Sequence, residues 1–153
     1  MNASSMRSAR GVAALAMLCL SAHAATAQRP TAQIVSAANR FLATLDQPQK
    51  ARVLFEFNDE AQRRRWSNLP VQMSPRAGLK MGELTAAQRA AAMTLLSSTL
   101  SKRGYEKIQQ IVEGDEMLKA NERNNPMFGR DLFYISILGT PSEKAPWMLQ
   151  FGG

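Results

Sequence analysis

The chain has 153 residues, with 19 Lys and Arg against 12 Asp and Glu, and it contains one cysteine and one histidine. This length is enough for one domain with a genuine core. Cys19 and His23 both lie in an N-terminal segment that we expect to be removed. The remaining chain is therefore predicted to lack disulfides, Cys/His metal sites and histidine-activated nucleophiles.

The first 27 residues have the pattern of a secretory signal peptide. Arg7 and Arg10 form a positive start, residues 11–22 are apolar, and small residues follow at Ala24 and Ala27. The apolar run is too short to span a bilayer. We therefore expect a periplasmic or secreted protein, cleaved after Ala27 or alternatively after Ala24. No later stretch predicts a transmembrane helix, so we expect no stable membrane insertion.

The mature chain, residues 28–153, is predicted to be a single α+β domain. Loss of Arg7 and Arg10 leaves 17 Lys and Arg against 12 Asp and Glu, a net charge near +5. This charge is spread along the chain, which indicates solubility or a leaning towards anionic surfaces. Three helices are predicted in the first part, over residues 31–45, 48–54 and 60–66. Asp46 before Pro48 is expected to open the second helix, and Asn58 or Asp59 the third.

The segment RRRWSNLP, residues 63–70, concentrates charge at the end of the third helix. Consecutive helical residues point in different directions, so its three arginines cannot share one face. The pattern favours a solvated helix end with Trp66 as an anchor of the core, while contact with an anionic ligand stays open. Nucleic-acid binding is disfavoured, because it requires a basic stripe with several aromatic residues for stacking bases, and this segment has one tryptophan beside one run of arginines.

Two longer helices follow an irregular segment that contains two prolines and two glycines. Thr85 and Gln88 have the spacing of a capping box, which predicts a helix over residues 86–100. Ser101 is expected to open the next helix, which runs to about Ala120. The sides expected to be buried are Ala92, Leu95, Leu96 and Leu100 in the first of these helices and Tyr105, Ile108, Ile111, Val112 and Leu118 in the second.

The last part of the chain has the composition of β-strands. Residues 132–138 are rich in β-branched and aromatic side chains, and residues 147–151 form a second such run after a loop. Helices first and strands last predict the α+β class, with N-terminal helices followed by a C-terminal β-hairpin. Because an isolated hairpin is marginally stable in water, we expect the sheet to be incomplete and its edge to await a partner.

Carboxylates are the remaining candidates for acid–base chemistry once histidine and cysteine are excluded. Glu113 and Glu116 lie on one helical face and could share a divalent cation, but a solvated acidic face flanked by lysines is the favoured interpretation. No calcium loop, phosphate-binding loop or copper-type methionine set is recognisable. We therefore expect no metal and no cofactor in this chain, and the catalytic residues stay unknown.

Four ordered segments resemble a bacterial family named domain of unknown function 3500. They are RRRWSNLP, LTAAQRAAAMTLLSSTLSKRGYEKI, GRDLFYISILGTPS and PWMLQFGG, and the resemblance covers roughly residues 50–153. In that family, the segment similar to QFGG continues into a pair of histidines and a further β-rich half. The resemblance thus implies that this chain is the N-terminal part of a larger family domain, whose candidate metal site lies in the other half.

Seven polar and aromatic residues within the segments that carry the resemblance are our candidates for ligand binding. They are Arg65, Trp66, Asn68, Arg130, Asp131, Trp147 and Gln150. The resemblance assigns none of them a catalytic role.

Three functions stay open at this point. The first is the N-terminal part of a larger exported protein, whose activity lies in a missing C-terminal half. The second is a complete periplasmic binding or interaction module, in which the edge of the 132–151 hairpin pairs with a partner strand. The third is a small enzyme that works with carboxylates and arginines alone, so whether the chain is an enzyme is undecided.

Overall fold

The computed structural model describes residues 30–153, and the predicted signal peptide lies outside this range. Over these residues the chain forms five α-helices, two short 3-10 helices and one sheet of four strands. Most of the helical sequence precedes the two longer strands. The predicted α+β class, with helices first and a C-terminal hairpin, is confirmed.

The first two helices follow the sequence prediction closely. Helix α1 covers residues 30–43, and α2 covers Gln47–Val53. Asp46 caps α2, since its carboxylate accepts the amide hydrogen of Gln49 at 2.8 Å and the Gln49 side chain reaches back to the Asp46 amide at 3.1 Å. Phe41 of α1 is completely buried together with Ala38, so α1 packs one side into the core.

Helix α3 is shorter than predicted and covers only Glu60–Arg63. Asp59 is its N-cap and accepts the amide hydrogen of Gln62 at 2.8 Å. The amide of Trp66 bonds to the carbonyl of Arg64 at 2.8 Å, a contact two residues back that a helix cannot use. The chain therefore leaves the helix before Trp66 and enters an irregular segment.

Helix α4 covers Ala86–Thr99 and begins with the predicted capping box. Thr85 accepts the amide hydrogen of Gln88 at 3.3 Å, and the Gln88 side chain accepts from the Thr85 amide at 3.0 Å. Gln88 also donates to the carbonyl of Thr44 at 2.9 Å, which ties the start of α4 to the end of α1. Its core-facing residues are Ala92, Leu95 and Leu96, as predicted, while Leu100 is half-buried.

Helix α5 covers Lys102–Asn121 and is capped by Ser101, which accepts the amide hydrogen of Gly104 at 3.1 Å. The predicted buried side is wrong: no residue of α5 is fully buried, and Ile111 and Leu118 are 55% and 46% exposed. Within the described residues α5 packs mainly against α4 and the 3-10 helix Arg130–Leu132, so only a narrow stripe of it reaches the core. Helical periodicity therefore identified an apolar face that the fold leaves mostly uncovered.

The sheet contains the two predicted strands and two short ones that the sequence did not indicate. Strand β3, Tyr134–Leu138, is central and pairs antiparallel over its whole length with β4, Met148–Gly152. On its other side it pairs in parallel with β1, Leu54–Phe55, and antiparallel with β2, Leu79–Lys80. The hairpin is therefore not alone, because two segments between the helices complete the other flank of β3.

Gly78 makes the approach of β2 to β3 possible. Its φ angle is +111°, and a Cβ atom there would lie 2.6 Å from the carbonyl oxygen of Ile135. Only glycine adopts this conformation at such a short distance without strain. A strand of two residues is too short to show a hydrophobic period, so the sequence does not predict that β2 pairs with β3.

Side chains of alternate residues in β3 lie on opposite faces of the sheet. Ile135 and Ile137 are completely buried in a core cluster that also contains Phe41, Val53 and Leu79. Tyr134 and Ser136 point to the opposite face, towards α3, because side chains alternate along a strand. Among the helices of residues 30–153, none combines the length and apolar composition that crossing a bilayer requires.

Candidate functional site

A cleft of about 380 Å³ lies beside α3 and the edge strand β4. Segments that are distant in sequence form its walls: the end of α3, the irregular segment after it, residues 76–77, and strands β3 and β4. The lining residues are Gln62, Arg63, Arg65, Trp66, Ser67, Arg76, Ala77, Tyr134, Ser136, Leu149, Gln150, Phe151, Gly152 and Gly153. The lining contains three arginines and no Asp or Glu side chain.

A polar cluster of Gln62, Ser136 and Gln150 forms one wall of the cleft. The Nε2 group of Gln150 donates to the backbone carbonyls of Gln62 and Arg63 at 3.1 and 3.2 Å, which fixes the orientation of its amide. Gln150 Oε1 then accepts from Gln62 Nε2 at 3.0 Å and from the Ser136 hydroxyl at 3.3 Å. Gln62 Nε2 also donates to Ser136 Oγ at 3.1 Å, so the three side chains form one network between α3 and the sheet.

One acceptor of this cluster stays unpaired. Gln62 is 3% exposed, and its Oε1 atom has no hydrogen-bond partner among residues 30–153. The opposite orientation of the Gln62 amide is unfavourable, because it would bring Gln62 Oε1 against the acceptor Oε1 of Gln150. Gln150 cannot turn to relieve this, since its Nε2 group is held by two backbone carbonyls. A buried acceptor without a partner costs about 1–3 kcal/mol. The wall of the cleft therefore contains a polar group that the chain's own described residues do not satisfy.

Two of the three arginines in the cleft are held by other parts of the protein. Arg63 pairs with Glu60 at 3.5 Å, donates to the carbonyl of Phe57 at 3.1 Å and lies 4.8 Å from the centre of the Phe57 ring. The Arg76 guanidinium donates to the backbone carbonyls of Ser67, Leu69 and Gly153 at 2.9, 2.8 and 3.0 Å. The acceptors at Ser67 and Leu69 are peptide carbonyls and the third is an oxygen of Gly153, the last residue of the 28–153 chain, so Arg76 fastens the walls of the cleft together.

Arg65 is the third arginine of the cleft, and its guanidinium differs from the other two. Glu60 pairs with Arg63 and Arg64, but no ion pair or side-chain hydrogen bond holds Arg65 within residues 30–153. Because Arg65 is exposed and lines the cleft, its guanidinium hydrogen-bond donors are available to a ligand.

The prediction that Trp66 anchors the core is wrong. Its side chain lines the cleft and the residue is 82% exposed. The physical reason is that the chain leaves α3 before Trp66, and that Arg76, through the carbonyls of Ser67 and Leu69, fastens the following segment instead. Trp66 thus presents its indole to the solvent at the mouth of a cationic cleft.

The predicted ligand-binding residues fall into separate places. Arg65, Trp66 and Gln150 line the cleft together, whereas Asn68 is exposed and does not line it. Trp147 is half-buried and donates through Nε1 to the carbonyl of Ser142 at 3.2 Å, outside the cleft. The other two candidates, Arg130 and Asp131, lie in the 3-10 helix Arg130–Leu132, also outside the cleft.

Arg130 forms ion pairs with α5, and Asp131 forms one with α4. Arg130 lies 3.5 Å from Glu113 and 3.4 Å from Glu116, and Asp131 pairs with Arg89 at 2.9 Å. These pairs fasten the turn before β3 to the helices. The two carboxylates considered for a shared cation therefore face a guanidinium, and no metal-type group of three His, Cys, Asp or Glu occurs among residues 30–153.

The turn at Gly129 lowers the pKa of Glu116. The backbone amide of Arg130 donates to the Glu116 carboxylate at 2.9 Å, and this hydrogen bond is the main cause of the lowered pKa. The positive charges of Lys119 and Arg130 act in the same direction, and partial desolvation opposes them. Asp115 accepts the amide hydrogen of Gly129 at 2.7 Å, so the acidic stretch of α5 holds this turn in place.

Four residues that line the cleft were not predicted from the sequence. They are Gln62, Arg76, Tyr134 and Ser136. None of them belongs to a recognisable motif: Gln62 belongs to a short polar helix and Arg76 is isolated in an irregular segment. Period-2 alternation in β3 was the one available signal, because it separates Tyr134 and Ser136 from the two core isoleucines.

Comparison with known proteins finds one family. The model of the family described as Protein of unknown function (DUF3500) matches residues 27–153, which is most of the chain and more than the four segments that suggested the resemblance. The family suggested by the sequence is thereby confirmed. Neither a curated protein nor a solved structure matches the chain.

Proposed function

The chain belongs to the DUF3500 family, and we propose that it is an exported interaction module that accepts one further β-strand along the outer edge of β4. The observation that carries the proposal is the pairing of β4, whose five residues bond to β3, while no strand of residues 30–153 pairs with its other side. Alternate amide and carbonyl groups of an edge strand point away from its neighbour and form a template for another chain.

The sequence of β4 lacks the features that usually protect an edge. It reads Met-Leu-Gln-Phe-Gly, without a charged residue and without proline, and most of it is half-exposed. Strands β1 and β2, in contrast, are only two residues long, and shortness is itself a protection. The edge of β4 is therefore the one long, unprotected edge in the described part of the chain, which favours a partner strand there.

We propose that the donor is a β-rich segment of the same protein, because the family resemblance implies such a segment after the one similar to QFGG. The histidine pair implied there would belong to that segment, together with any metal-dependent activity, since residues 28–153 contain no histidine. A separate exported chain is the alternative donor, because the same edge would serve both. Export itself rests on the signal-peptide pattern of residues 1–27.

Amide hydrogen exchange by NMR tests the free edge directly. In the mature chain, residues 28–153, we expect alternate amides of β4 to exchange rapidly, while the amides that face β3 and those within β3 are protected. A longer form, built from the reading frame downstream of Gly153, should protect the rapidly exchanging amides as well. Uniform protection of β4 in the short form would contradict a free edge.

A separate donor is tested by selecting short random peptides, displayed on phage, against the purified mature chain. Selected peptides should protect the same alternate amides of β4 and leave those of α5 unchanged. If the longer form and the selected peptides both leave these amides exposed, strand addition at β4 is wrong. Protection by the peptides alone would instead assign the edge to a separate chain.

A further inference from the structure

We infer that the cleft between α3 and β4 is a binding site for a small organic carboxylate that carries a flat apolar group. This inference goes beyond strand addition, because it concerns side chains that line the cleft and requires no second polypeptide. It combines two features of the cleft: three lining arginines without an Asp or Glu side chain among them, and an exposed indole beside the one arginine of the three that no ion pair or side-chain hydrogen bond holds within residues 30–153.

The charge of the cleft favours an anion. Arg63, Arg65 and Arg76 line it, no Asp or Glu side chain does, and of the three only Arg63 pairs with such a side chain among residues 30–153. The guanidinium of Arg76 is held by the carbonyls of Ser67 and Leu69, so it stays at the wall of the cleft. Arg65 has its donors available, and the planar guanidinium fork matches both oxygens of a carboxylate.

The exposed indole of Trp66 favours a ligand with a flat apolar part. Trp66 directly follows Arg65 and lines the same cleft with 82% of its surface exposed. Removing indole and ligand surface from water together stabilises a stacked arrangement, which an inorganic ion cannot exploit. Tyr134 and Phe151 are the other aromatic residues of the lining.

The buried polar wall gives the cleft a fixed shape. The amide of Gln150 is held by the carbonyls of Gln62 and Arg63 at 3.1 and 3.2 Å. Gln62 is 3% exposed and donates to Ser136 and Gln150 at 3.1 and 3.0 Å. Its unpaired Oε1 atom is an acceptor and has no role in binding an anion, because a carboxylate is itself acceptor-only.

The two tryptophans of the mature chain provide a built-in probe and control. Two-dimensional NMR of the 28–153 chain separates their indole N–H signals, and Trp147 lies outside the cleft with its N–H bonded to Ser142. Titration with benzoate should shift the Trp66 signal saturably and leave the Trp147 signal in place. Acetate lacks the ring and benzamide lacks the charge, so both should bind at least about tenfold more weakly than benzoate, a difference of 1.4 kcal/mol.

Arg65 and Arg64 form a matched pair of variants. They are adjacent and exposed, but only Arg65 lines the cleft, while Arg64 pairs with Glu60 at 3.3 Å. Arg65→Gln should raise the dissociation constant of benzoate about tenfold or more, and Arg64→Gln should leave it within about twofold. Both variants lose one positive charge, so a general attraction to anions would affect them equally.

Several outcomes would overturn the inference. Equal weakening by the two variants would show nonspecific attraction, and benzamide binding as tightly as benzoate would remove the role of charge. Inorganic phosphate binding more tightly than benzoate would assign the cleft to phosphate groups. Absence of a saturable Trp66 shift with benzoate, acetate and phosphate alike would show that the cleft binds no small anion.

Discussion

Replacing Gln62 with methionine should leave the stability of the protein almost unchanged, although Gln62 is buried and hydrogen-bonded. The variant loses two bonds donated by Nε2, to Ser136 at 3.1 Å and to Gln150 at 3.0 Å, worth together about 2 kcal/mol. It also removes the unpaired Oε1, whose burial costs about 1–3 kcal/mol. Because methionine has nearly the same volume, the two effects cancel to within about 1 kcal/mol.

Gln150→Met is the matched comparison within the same network. Gln150 makes four hydrogen bonds, two through Nε2 to the carbonyls of Gln62 and Arg63 and two through Oε1 from Gln62 and Ser136. It has no unpaired atom whose removal would offset their loss. At about 1 kcal/mol each, reduced because Gln150 is only half-buried, the loss amounts to about 2–4 kcal/mol.

Urea denaturation of both variants and of the unmodified mature chain measures the difference. The two free energies of unfolding should differ by at least about 1 kcal/mol, with unchanged slopes against urea concentration. A loss in Gln62→Met as large as that in Gln150→Met would refute the reasoning. It would mean that Gln62 Oε1 is satisfied in solution and that the cleft wall contains no unsatisfied acceptor.

Four further predictions concern stability, pH and metal binding. Trp66→Ala should lower the free energy of unfolding by less than about 1 kcal/mol, because the side chain is 82% exposed, and urea denaturation measures this. Gly78→Ala should lower the same quantity by more than about 2 kcal/mol, since a Cβ atom would meet the carbonyl of Ile135 at 2.6 Å. The lowered pKa of Glu116 stabilises the fold fully above the ordinary pKa of 4.5, and this contribution is lost as the pH falls through the folded-state pKa. The free energy of unfolding, measured against pH, should therefore fall less at acidic pH in Glu116→Gln than in the unmodified chain. Zn²⁺ calorimetry should give no submicromolar binding by residues 28–153, which lack histidine and cysteine.

Each of these has an outcome that would contradict it. A decrease of about 3 kcal/mol or more in the free energy of unfolding of Trp66→Ala would show that the tryptophan is buried in the core. An unchanged stability of Gly78→Ala would mean that β2 lies further from β3. Identical pH profiles for Glu116→Gln and the unmodified chain would show that the Arg130 amide does not bond to Glu116 in solution, and tight Zn²⁺ binding would reveal a carboxylate site.

Local chemistry accounts for the parts of the fold that the sequence predicted. The caps at Asp46, Thr85 and Ser101 lie where their side chains can reach an amide three residues ahead, a contact that depends on adjacent backbone alone. The five-residue strands β3 and β4 are long enough to carry a composition signal.

Contacts between distant segments account for the parts that were missed. Strands β1 and β2 exist only because β3 lies beside residues 54–55 and 79–80. Helix α5 has an amphipathic sequence, but the fold covers only a narrow stripe of it. A hydrophobic period identifies a face that could be buried, whereas burial depends on the elements available to cover it.

The candidate site divides in the same way. The sequence by itself determined that residues 28–153 have no imidazole or thiol, because that is a matter of composition, and it singled out the RRRWSNLP segment by its local density of charge. Only the tertiary structure decided that Trp66 faces the solvent, since this depends on where α3 ends and on Arg76, which holds the following segment through carbonyls as far away as Gly153. It also decided that Arg65 lines a cleft with Gln150 and that Arg130 faces two carboxylates instead. Side chains far apart in sequence meet only when packing brings their elements together, and no local pattern encodes that distance.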